Sequence, residues 1–352
     1  MTDSPSRDWI LTLNAGSSSL KLALYDLQGA EIAAGQMSEL DVMTVPAARL
    51  AEAVEGMVEG RGLAPAPLAV GHRVAHGVEF RAPGELTGEM RAALEKACAF
   101  APLHNPPALH VIDAAAELFP RARRVACFDT AFHASQPPEE TTFPIPERWR
   151  AAGLRRYGFH GLSYASMVRR LPAQLGGPLP RRLLACHLGA GSSMAAILDG
   201  RSVATTMGFS PMEGLVMATR CGELDPGVIF HLLRGGESAQ SLETALNRES
   251  GLKALGGSPS MKALLERDDR EARFAVEHYC HWALRHAGSL IACMGGVDAI
   301  CFTGGIGEHA APVRAKILDG LRWTGLDAAA AHVIVADEAG EIAHATLAIL
   351  RG

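Results

Sequence analysis

An internal repeat is the feature of this 352-residue chain that most constrains its fold. Residues 13–18 read LNAGSS and residues 188–193 read LGAGSS, so five of six positions match at an offset of 175 residues. A shorter match, between 127–130 (CFDT) and 301–304 (CFTG), falls at an offset of 174. Agreement of the two offsets to within one residue indicates a repeated structural unit, and a chain of this length suits two domains. The repeat therefore predicts a duplicated domain.

The local patterns agree with a repeat. In each half an apolar segment precedes a glycine-serine turn, and two further strands follow it. In the first half we predict strands at 9–13 and 20–25, separated by a turn at 14–19, and then a third strand that ends at Gln36. In the second half we predict strands at 183–188 and 194–198, separated by a turn at 189–193, and then a third strand at 202–207. Apolar strands at 68–72, 124–128 and 297–302, helices at 106–118 and 272–293, and a surface loop at 171–180 are also predicted. The pattern predicts two α/β domains around a cleft that both glycine-serine turns face.

Charge and cysteine content exclude several functions. The 33 basic and 38 acidic residues give a net charge of -5, so no general basic field attracts nucleic acid or an anionic membrane. The seven cysteines are an odd number, and they form neither a CxxC pair nor a disulfide framework. We expect a reducing, cytoplasmic location, with no nucleic-acid or membrane partner.

The glycine loops indicate phosphate binding without the usual motifs. GxxxxGK[ST] does not occur, and GxGxxG fails at Gly189 and at Gly305. A third glycine loop, 303–308 (TGGIGE), follows a predicted strand and precedes a predicted helix start. Alone it is as well explained by a tight turn. Beside the two other glycine loops, its backbone N–H groups favour binding of an anion.

Isolated charged residues complete the pattern. Arg73, His160 and Arg220 each stand among glycines or other small residues, and Asp129 ends an apolar strand. Singly, each has an ordinary explanation: a surface arginine, a core histidine or a helix N-cap. Together with phosphate-type loops they fit phosphoryl transfer, which needs positive donors around the moving group and a carboxylate for Mg²⁺.

These residues also resemble those of the acetate kinase family, which lies within the sugar kinase, Hsp70 and actin superfamily. The matching segments run in family order over nearly the whole chain: 14–21, 71–77, 101–107, 128–133, 155–161, 187–193, 207–226 and 302–308. The resemblance implies duplicated ribonuclease H-like (actin-like) ATPase domains on either side of a nucleotide cleft. We expect an N-terminal domain of residues 1–135 plus 338–352 on the acyl and metal side, and a nucleotide-side domain of residues 136–337.

The resemblance also implies roles for individual residues. Arg73 and Arg220 would hold the acyl carboxylate and the phosphoryl group, Asp129 would be the catalytic acid, acting through Arg73 and Mg²⁺, and His160 would donate to the transferring phosphoryl group. Asn14 and Glu338 would help to hold Mg²⁺, with Mn²⁺ as an alternative ion and Asp337 as a rival to Glu338. The residues that the family places near the nucleotide phosphates or base are Lys21, His187, Leu188, Gly189, Ala190, Gly191, Ser260, Lys262, Gly304, Gly305, Ile306, Gly307 and Glu308.

Three departures from the family pattern affect the nucleotide side. The family has Asn where this chain has Ala190, and Asn where it has His309. The family's Asp-x-Arg corresponds to Ser260-Met261-Lys262, and Arg and Lys are not equivalent at a forked site. ATP remains the expected phosphoryl donor because all three glycine loops are intact, and pyrophosphate is the alternative.

The acyl pocket departs at one position. The resemblance implies a pocket formed by Ala75, Leu103, Phe159 and Pro211, with His104 lining the phosphate path, and the family has Val at position 75. Burying an extra methylene contributes about 0.8 kcal/mol, so the smaller Ala75 predicts that propionate is accepted as well as acetate.

The sequence thus predicts an acetate kinase that makes acyl phosphate and ADP reversibly and is a homodimer by its resemblance. A kinase for butyrate or another short-chain carboxylate, or one that uses pyrophosphate, remains open. From another class, a nucleotide-gated actin-like or Hsp70-like binding protein remains open too.

Overall fold

The computed structural model describes residues 7–16, 19–38 and 42–352. Ser17 and Ser18, at the tip of the first predicted glycine-serine turn, lie outside the described residues. The strands in this part of the chain are β1 (Trp9–Ala15), β2 (Ser19–Asp26), β3 (Glu31–Ser38), β4 (Ala69–Val74), β5 (Gly84–Glu85), β6 (Arg123–Phe128), β7 (Arg182–Leu188), β8 (Ser192–Leu198), β9 (Arg201–Thr205), β10 (Ala299–Thr303) and β11 (Ala331–Val333).

The α-helices of the described residues lie between or after these strands. They are α1 (Ala47–Val58), α2 (Gly88–Ala97), α3 (Asn105–Leu118), α4 (Pro138–Thr141), α5 (Glu147–Ala151), α6 (Gly161–Leu175), α7 (Pro226–Arg234), α8 (Ala239–Thr244), α9 (Gly251–Gly256), α10 (Met261–Leu265), α11 (Arg270–Met294), α12 (Gly304–His309), α13 (Ala311–Gly320) and α14 (Glu338–Arg351). A π-helical turn covers Ala245–Glu249, and short 3-10 helices cover Val42–Thr44, Ala131–Ser135, Arg322–Thr324 and Ala328–Ala330.

The chain divides into two units. Unit 1 contains Met1–Phe132, Gly161–Ser166 and Asp337–Gly352, and unit 2 contains His133–His160 and Met167–Ala336. The sheet of unit 1 has the order β3-β2-β1-β4-β6-β5, and the sheet of unit 2, read from its β9 edge, has the order β9-β8-β7-β10-β11. In both, an antiparallel three-stranded meander is extended by two parallel strands, and in unit 1 the short strand β5 adds an antiparallel edge. The predicted duplication is confirmed.

One sequence match behind that prediction is wrong. Cys127 lies on β6, whereas Cys301 lies on β10, and the topological counterpart of β10 is β4. The helices α7 to α11 lengthen the connection from β9 to β10, so the two halves do not keep a constant offset beyond their first three strands. The other match begins on β1 and at the end of β7, two strands that hold equivalent places in the two sheets.

The core of unit 1 follows from strand alternation. On β1, Trp9, Leu11 and Leu13 pack with residues of α1 and α3. Ile10 points to the opposite face, where it packs with α14. Because successive side chains of a strand point to opposite faces, a strand that is buried at nearly every position, as β1 is, is covered on both faces. The sheet of unit 1 therefore lies between helices.

In unit 2 the long helix α11 covers the sheet. Ten of its residues, from Ala272 to Met294, are buried. They pack with buried residues of β7, β8 and β10. Asp269 caps the helix by accepting a hydrogen bond from Ala272 N at 2.9 Å, and Gly295 ends it in the left-handed conformation.

The prediction of a surface loop over 171–180 is wrong in its first half. Helix α6 continues to Leu175 although it contains Pro172. Leu171 is fully buried, so packing of the apolar face keeps the segment helical in spite of the proline. Gly176, at φ 62°, ends the helix.

Candidate active site

Arg73 and Asp129 form a forked ion pair at the carboxyl edge of the unit 1 sheet. Strands β4 and β6 are parallel neighbours in which Arg73 lies opposite Cys127, so Asp129 follows just beyond. Arg73 donates from Nε to the two carboxylate oxygens at 3.2 and 3.1 Å, and from Nη2 to Oδ2 at 2.6 Å. A charge-assisted pair of this kind fixes the plane of the guanidinium.

Burial determines what this pair can do. Asp129 is 1% exposed, and the Arg73 side chain is 21% exposed. Burial raises the pKa of the Asp129 carboxyl, and Arg73 opposes that rise. Burial acts against the charge of Arg73 too, but the Asp129 and Glu338 carboxylates together raise the pKa of its guanidinium. Arg73 is therefore a fixed cation with part of its surface accessible to an anionic substrate.

Asn14 connects this pair to Glu338. The Asn14 side chain, near the end of β1, accepts from Arg73 Nη1 through Oδ1 at 3.1 Å and donates from Nδ2 to Glu338 Oε2 at 2.7 Å. Glu338 is the first residue of α14. Asp337 precedes it as the N-cap and accepts from Gly340 N at 2.8 Å. Glu338 thus joins the cluster, whereas the Asp337 carboxylate caps the helix.

The donor set of this cluster suits a hard cation. Asn14, Asp129 and Glu338 offer only oxygen ligands, which Mg²⁺ and Mn²⁺ prefer. Within the described residues, no three or more His, Cys, Asp or Glu side chains are grouped as metal ligands. Mg²⁺ needs no such cage, because it keeps several waters and takes further oxygens from substrate phosphates. The residues therefore fit the predicted Mg²⁺.

In unit 2, His160 adopts an uncommon backbone conformation. It lies directly before α6 with φ 58° and ψ 22°, in the left-handed region. For a residue other than glycine this costs about 1–3 kcal/mol and persists only where the surroundings hold it. Its Nδ1 lies 2.8 Å from Ser193 Oγ, and its ring stacks on His187 with 4.1 Å between the centroids.

Arg220 and His160 converge on Gly191. A Cβ atom placed on Gly191 would lie 3.1 Å from His160 Nε2 and 3.4 Å from Arg220 Nη1. Arg220 Nη1 also donates to the carbonyl of Pro211 at 3.0 Å, which orients the guanidinium. A bare glycine thus lets an arginine and a histidine nitrogen approach the same point.

The turn that contains Gly191 is held from inside unit 2. Gly189 N donates to Gly191 O at 3.0 Å, and Ser192 Oγ donates to Gly189 O at 3.1 Å. The Ser192 hydroxyl also lies 2.9 Å from the hydroxyl of Tyr279, on α11. Burial raises the pKa of Tyr279, so this phenol stays neutral. The turn is therefore anchored to the longest helix of the described residues.

The third glycine loop begins α12, as predicted. Gly304 has φ 79°, and a Cβ there would lie 2.7 Å from the carbonyl oxygen of Leu188, so only glycine fits. Glu308 Oε1 accepts from Gly304 N and from Ala336 N, each at 2.9 Å. The Glu308 carboxylate therefore holds the shape of the loop from within.

A cavity of about 740 Å³ opens beside both glycine loops of unit 2. It is lined by Gly189, Ala190, Pro259, Ser260, Met261, Lys262, Leu265, Glu266, Gly305, Ile306, His309 and Ala310. Most of these residues are apolar or glycine, which suits a flat, largely apolar group next to phosphate-type turns.

Comparison with known proteins agrees with these features. The model of the Acetokinase family matches residues 64–346. The chain belongs to the acetate kinase family. An acetate kinase of Rhodopseudomonas palustris (strain TIE-1) is 41% identical over 348 residues, covering 91% of this chain and 87% of the relative.

Solved structures of the acetate kinase family share the fold. A propionate kinase from Francisella tularensis subsp. tularensis SCHU S4 superposes with a TM-score of 0.88 at 27% identity, covering 97% of this chain and all of the other. Porphyromonas gingivalis acetate kinase has the same TM-score and coverage at 29% identity. The predicted family, fold class and enzyme class, a phosphotransferase with a carboxyl acceptor, are confirmed. The family uses ATP as a substrate.

The remaining residues that the acetate kinase resemblance singles out fall in both units. Lys21, on β2, is exposed and lies opposite Asn14 in the strand register. Ala75, Leu103 and His104 are in unit 1 and partly exposed, and His104 directly precedes α3. In unit 2, Pro211 is partly exposed, whereas Phe159 is buried against Met207 and Met217.

Sequence reasoning missed three polar residues of unit 2 that support the site. Ser193 belongs to the glycine-serine motif, but its contact with His160 needs the register in which His187 lies opposite Ser193. Tyr279 reaches the glycine turn, and His133 reaches the Phe159 carbonyl, each from a distant part of the chain.

No helix among the described residues is both long and apolar enough to cross a membrane.

Proposed function

We propose that the chain is an acetate kinase that reversibly transfers the γ-phosphoryl group of ATP to acetate, in a Mg²⁺-dependent reaction, giving acetyl phosphate and ADP. The observation that carries the proposal is the convergence of Arg220 and His160 on Gly191, beside the glycine loops. Two nitrogen donors at one point suit a phosphoryl group with charge spread over its oxygens.

In the proposed reaction a carboxylate oxygen of acetate attacks the γ-phosphorus. A bond forms between this acetate oxygen and the γ-phosphorus as the bond between the γ-phosphorus and the β-γ bridging oxygen breaks. ADP leaves with the electron pair of the broken bond. Acetate is ionised at neutral pH, so no general base is needed. Arg73 binds the acetate carboxylate, and Asp129 keeps its guanidinium in place.

His160 and Arg220 would donate to the oxygens of the transferring group. The Ser193 hydroxyl can donate to Nδ1 of His160, which leaves the ring proton on Nε2, the nitrogen that faces Gly191. The turns at Gly189–Gly191 and Gly304–Gly307 would bind the nucleotide phosphates through backbone N–H groups other than those of Gly189 and Gly304, which donate within the turns. In this scheme Glu308 shapes the second of these loops through Gly304 N.

Asn14 and Glu338 would hold Mg²⁺, together with substrate phosphates and water. The bound ion would neutralise charge on the β- and γ-phosphates. Glu338 is favoured over Asp337 because its carboxylate contacts Asn14, whereas Asp337 accepts the capping hydrogen bond from Gly340 N. Asn14 is oriented for this role by Arg73.

The cavity in unit 2 favours ATP over pyrophosphate as the donor. Pyrophosphate would need only the glycine turns, whereas a nucleoside would occupy the space lined by Ala190, Ser260 and His309. All three departures from the family pattern line this cavity. Ser260 Oγ accepts from Ala263 N to cap α10, and the Lys262 side chain is 86% exposed, so neither is fixed toward a base.

Ala75 supports acceptance of propionate. The smaller side chain leaves room for one more methylene than the valine of the family pattern. We expect wild-type protein to use propionate within about tenfold of acetate, and Ala75→Val to favour acetate, because one methylene discriminates by about 1–3 kcal/mol. The kcat/KM ratio of the two acids measures this, and a ratio unmoved by Ala75→Val would contradict the assignment.

We also propose that the chain forms a homodimer through unit 2. Phe230 on α7 and Phe274 on α11 are exposed, and such side chains suit an interface between copies. Light scattering of the purified protein measures the mass: twice 37.2 kDa is expected, and a monomeric mass would contradict the proposal.

Acyl phosphate formation, trapped as the hydroxamate, tests the proposed function directly. Purified protein is incubated with acetate, propionate or butyrate, with ATP or pyrophosphate, and with Mg²⁺ or a chelator. Product with ATP, acetate and Mg²⁺ is expected. Product only with butyrate, or only with pyrophosphate, would replace the proposed substrate. Absence of product from every combination would contradict the proposal.

A further inference from the structure

His133 is a buried histidine to which the proposed chemistry gives no part. It lies in the 3-10 turn Ala131–Ser135 and is 2% exposed. Its Nε2 lies 2.9 Å from the carbonyl oxygen of Phe159. Because a carbonyl oxygen can only accept, Nε2 must carry the ring proton and donate it.

The contact of the other ring nitrogen is compatible with this tautomer, because a serine hydroxyl can donate or accept. Nδ1 lies 2.8 Å from Ser202 Oγ, and with the proton on Nε2 it accepts from that hydroxyl. Gln136 Nε2 in turn donates to Ser202 Oγ at 3.1 Å, and Ser135 Oγ donates to the Ser202 carbonyl at 2.8 Å. Each group in this series thus donates a hydrogen bond to the next: Gln136 to Ser202, Ser202 to His133, and His133 to the Phe159 carbonyl.

The carbonyl at the end of this chain lies at a conformational pivot. Phe159 stands between two residues in the left-handed region, Gly158 at φ 76° and His160 at φ 58°. A Cβ on Gly158 would lie 2.6 and 2.7 Å from His133 Cδ2 and Cγ. The imidazole therefore packs on the bare α-carbon of Gly158 and binds the next carbonyl along the chain.

We propose that His133 is a positioning residue, which holds the Phe159 carbonyl so that the left-handed turn presents the His160 ring to Gly191 and Arg220. The inference rests on the part given to His160 in the proposed function. Without the donor at Nε2, the peptide between Phe159 and His160 is free to rotate, and His160 relaxes toward the ordinary right-handed conformation. The ring then leaves its place beside Ser193 and His187.

Two amide substitutions separate this role from general core packing. His133→Gln places an NH₂ group near the position of Nε2 and can still donate to Phe159. His133→Asn is a matched control that reaches only the Nδ1 position, toward Ser202, and leaves the Phe159 carbonyl without this donor. A residue that merely fills the core would respond similarly to both.

We expect His133→Gln to keep at least a third of the wild-type kcat and His133→Asn to lower kcat about 10- to 100-fold. The KM for ATP should stay within twofold in both, because the cavity is lined by other segments, including Ser260 and Gly305. Equal losses of kcat in the two variants, or a loss expressed only in the KM for ATP, would overturn the proposal.

A double-mutant cycle tests whether the effect passes through His160. In a His160→Ala background, His133→Asn should change the residual kcat by less than twofold, because the positioned ring is gone. A further tenfold loss in that background would show that His133 acts by another route, and would overturn the proposal.

Nitrogen NMR of protein labelled at histidine gives a readout that needs no activity. The wild-type spectrum should show His133 protonated on Nε2 alone, and the His160 signals should move in His133→Asn and stay in His133→Gln. A proton on Nδ1 of His133 in the wild-type protein would overturn the inference even if the variants fold poorly, and unmoved His160 signals in a folded Asn variant would overturn it as well. An inactive wild-type protein with the expected spectrum would contradict the proposed function instead.

Discussion

Gly191→Ala should damage catalysis without damaging the fold. The added methyl carbon would lie 3.1 Å from Nε2 and 3.3 Å from Cε1 of His160, and 3.4 Å from Nη1 of Arg220. Non-bonded carbon atoms pack best at about 3.5–4.0 Å, so the His160 ring must retreat by a few tenths of an ångström, whereas 3.4 Å to Arg220 Nη1 is an ordinary contact. The backbone of Gly191 is not in the left-handed region, so alanine can adopt it.

The magnitude follows from how sharply rate depends on geometry. A misplacement of about 1 Å can cost 100-fold in rate, so a shift of a few tenths of an ångström in the His160 ring should lower kcat by about 3- to 10-fold. Stability should change little, because a glycine-to-alanine change at a compatible position stabilises by about 0.4–1 kcal/mol through the unfolded chain. This gain roughly offsets the local crowding.

Initial rates of hydroxamate formation at saturating ATP and acetate measure kcat, and thermal unfolding measures stability. Gly288→Ala is the matched control: a Cβ at that position of α11 meets nothing within 4 Å, so its kcat should equal the wild-type value. A Gly191→Ala protein with at least half the wild-type kcat would refute the claim that His160 and Arg220 act at this point. A large loss of stability would refute the claim that the effect is local.

Two further outcomes follow from buried ionisable groups. Arg73→Ala should lower turnover by at least about 10³-fold, because an arginine that stabilises this kind of transition state contributes 10³–10⁵; it should also lower the free energy of unfolding by about 3 kcal/mol, because Asp129 loses its buried partner. Adding Asp129→Asn should restore much of the stability in urea unfolding but no turnover, and a single variant with a tenth of the wild-type rate would contradict the role. Burial lowers the pKa of His72 to about 3 and of His133 to about 4, below the unfolded value, so their contribution to stability is complete above pH 6.5 and is lost as the pH falls. Together the two histidines should lower the free energy of unfolding by about 4 kcal/mol between pH 8 and pH 5, and His133→Gln should reduce that loss by about half. If the free energy of unfolding of this variant depended on pH as the wild-type value does, the assignment would be refuted.

Much of the fold could be predicted because its signals are local. The turn repeat at 13–18 and 188–193 and the apolar strand patterns identify a duplicated α/β architecture, and the observed sheets share one order over five strands. The match between Cys127 and Cys301 was misleading, because a two-residue identity contains no information about which strand pairs with which. The helix through Pro172 was missed because a proline signal is local, whereas the burial of Leu171 that overrides it is not.

The candidate site likewise has features that the sequence predicts and features that it does not. Composition of the glycine loops and the isolated Arg73, His160 and Arg220 suggested phosphoryl transfer from residue type and spacing alone. The choice between Glu338 and Asp337 as the partner of Asn14 depends on a hydrogen bond between Asn14 and Glu338, which are 324 residues apart. No rule based on residue spacing predicts such a contact. The same holds for His133, whose ring reaches Ser202 and the Phe159 carbonyl through separate connections.

The physical reason is the range of the interactions. Backbone preferences, strand alternation and glycine turns act over a few residues, so they can be read along the chain and identify the fold and the loops that bind phosphate. Hydrogen-bond direction, tautomer and the close approach at Gly191 depend on atoms brought together from distant segments, to within a few tenths of an ångström. Those features, which orient His160, Arg73 and Arg220, exist only once the strands and helices have packed.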